Sequence, residues 1–239
     1  MIEVKNLCKS FEDFAALKDL NLHVDKGSIY GLVGVNGSGK TTLIKHLTGV
    51  LVPDSGSVII DGQPVQDNIE LKERVGYISD DLYFFGNYDL KSMSKFYAKL
   101  YPNWDQARYK HMVEKFELPE NKRISKFSKG MQKQAAFVLT MSAKPDCLIL
   151  DEPVDGLDPV VRKRVWKYVV NDVAEREMTV LVSSHNLREL EGLVDHVGIM
   201  YQGSIKLERG NLDELESEGG LLSLEELFFK EMGGDDDEI

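Results

Sequence analysis

Cysteine is nearly absent: the 239 residues contain two, Cys8 and Cys147, far apart and without metal-ligand spacing. A disulfide scaffold and a cysteine-based zinc site are thereby excluded, and a reduced, cytosolic setting is expected. The five histidines form no ligand cluster in the sequence. No apolar run reaches the roughly 18 residues that a bilayer span needs. The start, Met1 to Lys5, lacks the apolar core of a signal peptide. The chain is therefore expected to be soluble alone, with any membrane role passing through a partner. A basic surplus is missing too. The net charge of −11 argues against a general nucleic-acid binder, which wants a positive face. Part of that charge lies in the run Gly233 to Ile239, expected to be a solvated end. The hydrophobic share, 42%, is ordinary for a globular protein, and the length suits one large domain with room for an inserted lobe.

Against these absences stands Gly34-Val35-Asn36-Gly37-Ser38-Gly39-Lys40-Thr41. Its spacing is G-x-x-x-x-G-K-S/T, the phosphate-binding loop. The glycines let the backbone curl so that its N–H groups face inward, and the helix that follows adds its positive N-terminal end. Lys40 reaches the β- and γ-phosphates in such a loop, and the Thr41 hydroxyl ligates Mg²⁺. The alternative is a glycine-rich turn with no ligand. Context favours the phosphate loop, since the apolar Ile29, Tyr30, Leu32 and Val33 precede it and a helical stretch, Thr41 to Thr48, follows.

Residues 2–7 and 17–24 alternate apolar and polar, which predicts strands of an antiparallel sheet, and Ser57 to Asp61 predicts another. The short apolar runs Cys147–Leu150, Met178–Val182 and Val197–Met200 predict strands buried on both faces of a parallel sheet. Helical segments between them give the β-then-α alternation of crossover connections. One helix start is well marked, with Asp158 as N-cap and Pro159 at the first helical position. Residues 81–145 break the alternation. Helices are expected at 91–100, 105–116 and 129–142, so this region reads as a helical lobe inserted into the core.

Other pieces carry chemistry. Leu148-Ile149-Leu150-Asp151-Glu152 is an apolar strand ending in two carboxylates. In phosphate-loop enzymes the terminal Asp of such a strand holds Mg²⁺. Two adjacent acids repel unless a cation or a proton task suits both. Asp151 is therefore assigned to Mg²⁺ and Glu152 to general base for the attacking water. Phe127-Ser128-Lys129-Gly130-Met131 precedes a helix, with Ser128 as a candidate N-cap at an anion-friendly N-terminus. Asp155-Gly156-Leu157-Asp158 follows the two acids. His185 ends the 178–184 segment, where a hydrogen bond to a γ-phosphate could sense its presence.

In order and spacing these segments resemble an ATP-binding-cassette (ABC) ATPase. They are a Walker A loop at 34–42, a signature at 127–131, Walker B at 147–152, a D-loop at 155–158 and a switch histidine, His185. The resemblance covers residues 1 to about 210. It implies an α/β fold: a P-loop NTPase core with a mostly parallel sheet, an antiparallel β subdomain and an inserted α-helical subdomain. It implies an ABC ATPase domain at 1–220, and a C-terminal helix and acidic tail at 221–239. It also implies ATP and Mg²⁺ as cofactors, Phe11 stacking on adenine, and Thr42 supporting the phosphate loop. Ser128, Lys129, Gly130 and Met131 would contact ATP held by a second ATPase subunit, joined head to tail. An integral membrane permease would be the other partner, and the chain would sit on the inner face of the cell membrane.

The chain departs from the family pattern twice. The signature, usually L-S-G-G-Q, is Phe-Ser-Lys-Gly-Met here, with Ser128 and Gly130 kept. At the family's Q-loop glutamine stands Asp80, a further candidate Mg²⁺ ligand. Its carboxylate is expected to add negative charge near the γ-phosphate and to oppose binding. Tyr101-Pro102-Asn103-Trp104-Asp105, the signature lysine and the stretch Asp151 to Arg162 look like bacterial exporter ATPases of the drug, bacitracin and lantibiotic type. So does the ending Ser223 to Phe229. No large C-terminal regulatory domain is seen, which disfavours a sugar importer. Leu82-Tyr83-Phe84-Phe85 follows the Q-loop position and is either a permease contact or lobe packing. A single phosphate loop disfavours translation-type cassettes, and no long coiled coil lies between 43 and 126. A guanine-reading N-K-x-D is absent, since Asn121-Lys122-Arg123-Ile124 lacks the aspartate. An ATPase driving a membrane sensor or signalling complex stays open as the alternative to transport.

Overall fold

In the computed structural model, residues 1–186, 190 and 192–210 are described. In chain order the elements are β1 (Ile2–Phe11), β2 (Phe14–Val24), β3 (Ile29–Val33), α1 (Lys40–Leu47), β4 (Ser55–Ile60), β5 (Gln63–Pro64), α2 (Ile69–Lys72) and β6 (Val75–Ile78). Then come α3 (Leu90–Leu100), α4 (Gln106–Lys115), α5 (Lys129–Ser142), β7 (Cys147–Asp151), α6 (Pro159–Arg176), β8 (Thr179–Ser184), β9 (His196–Tyr201) and β10 (Ser204–Gly210). The expected C-terminal helix and acidic tail, 221–239, lie outside the described residues. Two compact units emerge: residues 1–67 with 179 onward, and residues 68–178.

The first unit holds an antiparallel sheet in the order β2-β1-β4-β5. Alternation sends Ile2, Val4, Leu7, Leu20, Leu22 and Val24 to its buried face. The alternation would fail at Lys5-Asn6, but a register shift between Val4 and Leu7 restores Leu7 to the inside. Asn6 takes up the extra residue with φ 48°, as a bulge does, and its N–H donates to Asn21 Oδ1 at 3.0 Å. The same unit contains parallel strands: β3 pairs with β8 on one side and β9 on the other, and β10 adds an antiparallel edge beside β9. β3 and β8 are buried along their whole length, the mark of strands covered on both faces.

In the second unit β6 and β7 pair in parallel. Helices α3, α4 and α5 each begin with a side-chain cap, from Asp89, Asp105 and Ser128. α5 is buried at every position from Ala135 to Ser142, so it is a core helix and not an amphipathic surface one. α6 starts where the sequence places it: Asp158 Oδ1 accepts from the N–H groups of Val160 and Val161, each at 3.0 Å, with Pro159 at the first turn. Its buried stripe, Val165 and Val169, continues into a buried carboxylate, Asp172. That carboxylate accepts from Arg108 of α4 and Arg176, both at 2.7 Å. Buried charge needs such partners.

Candidate nucleotide site

The phosphate loop hangs between buried β3 and α1. Gly34 cannot carry a side chain, because a Cβ there would come within 2.6 Å of the Ser38 hydroxyl. Gly39 is the N-cap of α1 with φ 111°, a backbone open to glycine and few others. It supplies no side-chain cap, and the first turn of α1 has no acidic residue. The start of the helix therefore keeps its attraction for an anion. Lys40, only 6% exposed, donates to Gly34 O at 2.6 Å and more weakly to Val35 O at 3.4 Å. The Ser38 hydroxyl is buried with no partner, and such a group calls for one. An orphaned donor in a loop of this spacing fits a phosphate oxygen. Val35, Asn36 and Gly37 are exposed at the tip, and Thr41 and Thr42 follow in α1. Thr42 O receives the His46 ring at 2.8 Å.

Strand register brings His185 to this loop's edge. Val33 of β3 is level with Ser184 of parallel β8, so Gly34 and His185 both leave the sheet one residue later, at the same edge. His185 is exposed there. Phe11 closes β1 opposite Phe14. Its ring is 44% exposed and has Lys9 Nζ 5.6 Å from its centroid, so a face remains for an aromatic base.

The second unit repeats the arrangement. Ile78 of β6 is level with Leu150 of β7, so Asp80 and the Asp151-Glu152 pair emerge at one edge. Asp151 is 2% exposed. Its charge acts on Tyr77, whose pKa is raised chiefly by burial and then by the Asp151 and Asp81 carboxylates. Glu152 is half-buried and has φ 48°. Ser128 is exposed, and its hydroxyl accepts from Met131 N–H at 3.2 Å. Lys129 is exposed beside it, and a Cβ on Gly130 would come no nearer than 3.6 Å to Leu157. Asp158, the D-loop residue, caps α6.

Asp80, expected to add negative charge near the γ-phosphate, has a cation beside it. Lys133 Nζ donates to Asp80 Oδ1 at 3.1 Å and to the main-chain oxygen of Glu152 at 3.0 Å. Sequence reasoning passed over Lys133, whose partners lie 53 and 19 residues away. Ser38 was counted as a loop residue, but its orphaned hydroxyl gave no signal in the sequence. Among the described residues no three His, Cys, Asp or Glu side chains gather as a metal-ion ligand set. No helix among the described residues is long and apolar enough to cross a membrane.

Comparison with known proteins agrees with the motifs. The ABC transporter family profile matches residues 17–155. The chain is 34% identical over 218 residues to the ABC transporter ATP-binding protein YtrB of Bacillus subtilis, covering 91% of this chain and 74% of that protein. It is 34% identical to the bacitracin transport ATP-binding protein BcrA of Enterococcus faecalis, covering 90% and 70%. Multidrug and lantibiotic transport ATP-binding proteins match as well. A solved ATP-binding subunit of an ABC transporter superposes with a TM-score of 0.88 at 28% identity, over 97% of this chain and 99% of that one. The fold is that of an ABC ATPase cassette, and the chain belongs to the ATP-binding proteins of ABC transporters, with relatives of the exporter type.

Proposed function

We propose that the chain hydrolyses ATP to drive a membrane ABC transporter of the exporter type, working as one of two cassettes joined head to tail. The observation that carries this reading is the orphaned Ser38 hydroxyl in a loop whose lysine is buried and aimed at the loop's own carbonyls. Bound ATP supplies the missing acceptor for Ser38 and a charged one for Lys40. Gly37, Gly39 and the first turn of α1 hold the phosphates through backbone amides. Phe11 stacks on the base, and Thr42 steadies the loop from behind.

Thr41 and Asp151 would hold Mg²⁺, which would supply charge neutralisation for the phosphates. Asp80 remains a candidate third ligand. Glu152 accepts a proton from the attacking water, and His185 donates to the γ-phosphate. Ser128, Lys129, Gly130 and Met131 of one chain close the ATP site of the other, with Asp158 at the junction. ATP then acts as the joint between two cassettes, and hydrolysis releases it. The second cassette is either another copy of this chain or a different one. A permease holds the pair at the inner face of the membrane, and nucleic acid has no place in the cycle. Relatives that carry bacitracin, lantibiotic and multidrug transport in their names favour export over a sensor or signalling complex driven by the same ATPase.

The test is a Glu152→Gln chain incubated with ATP and run on size-exclusion chromatography beside the wild type. An ATP-dependent dimer without turnover is expected. A monomer that still binds ATP would count against the head-to-tail cycle.

A further inference from the structure

The turn after β7 is unusual in its backbone. Glu152 has φ 48°, a left-handed conformation that side-chain-bearing residues seldom adopt. It also precedes Pro153, and a residue before proline is pushed toward extended backbone. Two local preferences thus oppose the shape of this turn. Such a residue keeps its conformation only where its surroundings determine it.

Lys133 is one such determinant. Its side chain is 13% exposed, and its Nζ donates to the Glu152 main-chain oxygen at 3.0 Å. That oxygen belongs to the peptide joining Glu152 to Pro153, so the bond fixes the twist of the turn and with it the direction of the Glu152 carboxylate. The same ammonium also holds Asp80, on the segment that leads to Leu82 and Tyr83. Both contacts lie beside a polar cavity of about 420 Å³ lined by Asp80, Lys129, Lys133 and Asp155.

We propose that Lys133 is a positioning residue for Glu152: through its bond to the Glu152 carbonyl it sets the aim of the general base. Through Asp80 it ties that aim to the segment at 80–85. This inference rests on the reading of Glu152 as the base. A shift of the 80–85 segment then moves Asp80, draws on Lys133 and turns Glu152.

The test uses the full chain in four forms: wild type, Lys133→Met, Lys133→Arg and Asp80→Asn. Two readouts are taken, amide hydrogen exchange of a peptide covering 149–156 without nucleotide, and kcat and KM for Mg-ATP. In Lys133→Met, exchange at 149–156 should accelerate and kcat should fall about 10²-fold, the usual cost of a group misplaced by about an ångström. KM should move far less than kcat. Lys133→Arg keeps the cation and its donors and should recover most of both. Asp80→Asn removes the ion pair but leaves the bond to Glu152, so its exchange at 149–156 should match the wild type. Should Lys133→Met not fold, Lys133→Arg against Lys133→Gln reads the same contrast. Unchanged exchange in a folded Lys133→Met chain would overturn the proposal. Faster exchange with unchanged kcat would leave the hold of Lys133 on Glu152 standing and would overturn Glu152 as the base.

Discussion

The Lys40 ammonium donates to the main-chain oxygen of Gly34 at 2.6 Å, folding back across the loop it follows. The residue is buried, so its charge is aimed into the loop and away from solvent. A phosphate there replaces neutral carbonyl acceptors with a charged one, and charge-assisted bonds are the stronger kind. Lys40→Ala should lower kcat/KM for ATP by about 10²-fold or more, the scale for losing one charge-stabilising donor. Steady-state hydrolysis with a nucleotide-binding titration checks it.

Asp172 is the structural counterpart. Its carboxylate is buried and accepts from Arg108 and Arg176. Removing it strands two half-buried guanidinium groups. Asp172→Ala should therefore cost about 3 kcal/mol, as breaking a buried pair does, measured by urea unfolding. Adding Arg108→Met should soften the loss, because one stranded charge is gone. A loss in the double variant equal to the sum of the losses of Asp172→Ala and Arg108→Met alone would mean that the pair is not coupled.

The pH dependence of folding has a defined contribution from His46. Its pKa lies below the ordinary 6.5, chiefly because burial disfavours the charged ring. The unfolded chain then takes up a proton near pH 6.5 that the folded chain resists. The unfolded state binds more protons, so stability falls as pH drops below that value and is retained above it. His46→Gln should flatten this part of the curve. Thermal unfolding of both proteins between about pH 7.5 and 5.5 brackets the histidine range. Parallel slopes would remove His46 as the cause.

Much of the fold was legible because the signals were local. Unbroken apolar runs mark β7 and β8, and the Asp158-Pro159 start marks α6. The phosphate loop announces itself by spacing alone. What escaped depends on contacts between distant segments. β6 is four residues long, and its Gly76 leaves room for α5: a Cβ there would sit 2.8 Å from Thr140 Cγ2. Nothing in the sequence around Val75 says so. β10 is a short edge strand, made by pairing with β9. Asp80 looked like a charge without a counterpart because Lys133 is remote in sequence. Asp172 carries no signal in the sequence, because its partner Arg108 lies 64 residues away.

The aromatic run after Asp80 divides into two roles. Tyr83 is 82% exposed, with its ring 6.1 Å from Phe85. Phe85 is more enclosed and meets Phe96 of α3 edge-on at 5.1 Å and Tyr88 at 5.0 Å. Phe85 thus anchors the segment to the helix, and Tyr83 is left exposed. Edge-on aromatic pairs are worth about 1 kcal/mol beyond burial, so Phe85→Ala should lower stability by at least that. Tyr83→Asp lies away from packed contacts and should stay within about 0.5 kcal/mol of the wild type. Its basal ATP hydrolysis should be unchanged, because Tyr83 touches no group assigned to nucleotide. On the reading of this segment as a permease contact, stimulation by the membrane partner should be lost, since a carboxylate on an apolar docking surface would have to shed its water. Urea unfolding and ATPase assays with and without the co-purified permease separate the two residues. Stimulation that survives Tyr83→Asp would move the docking surface elsewhere on the cassette.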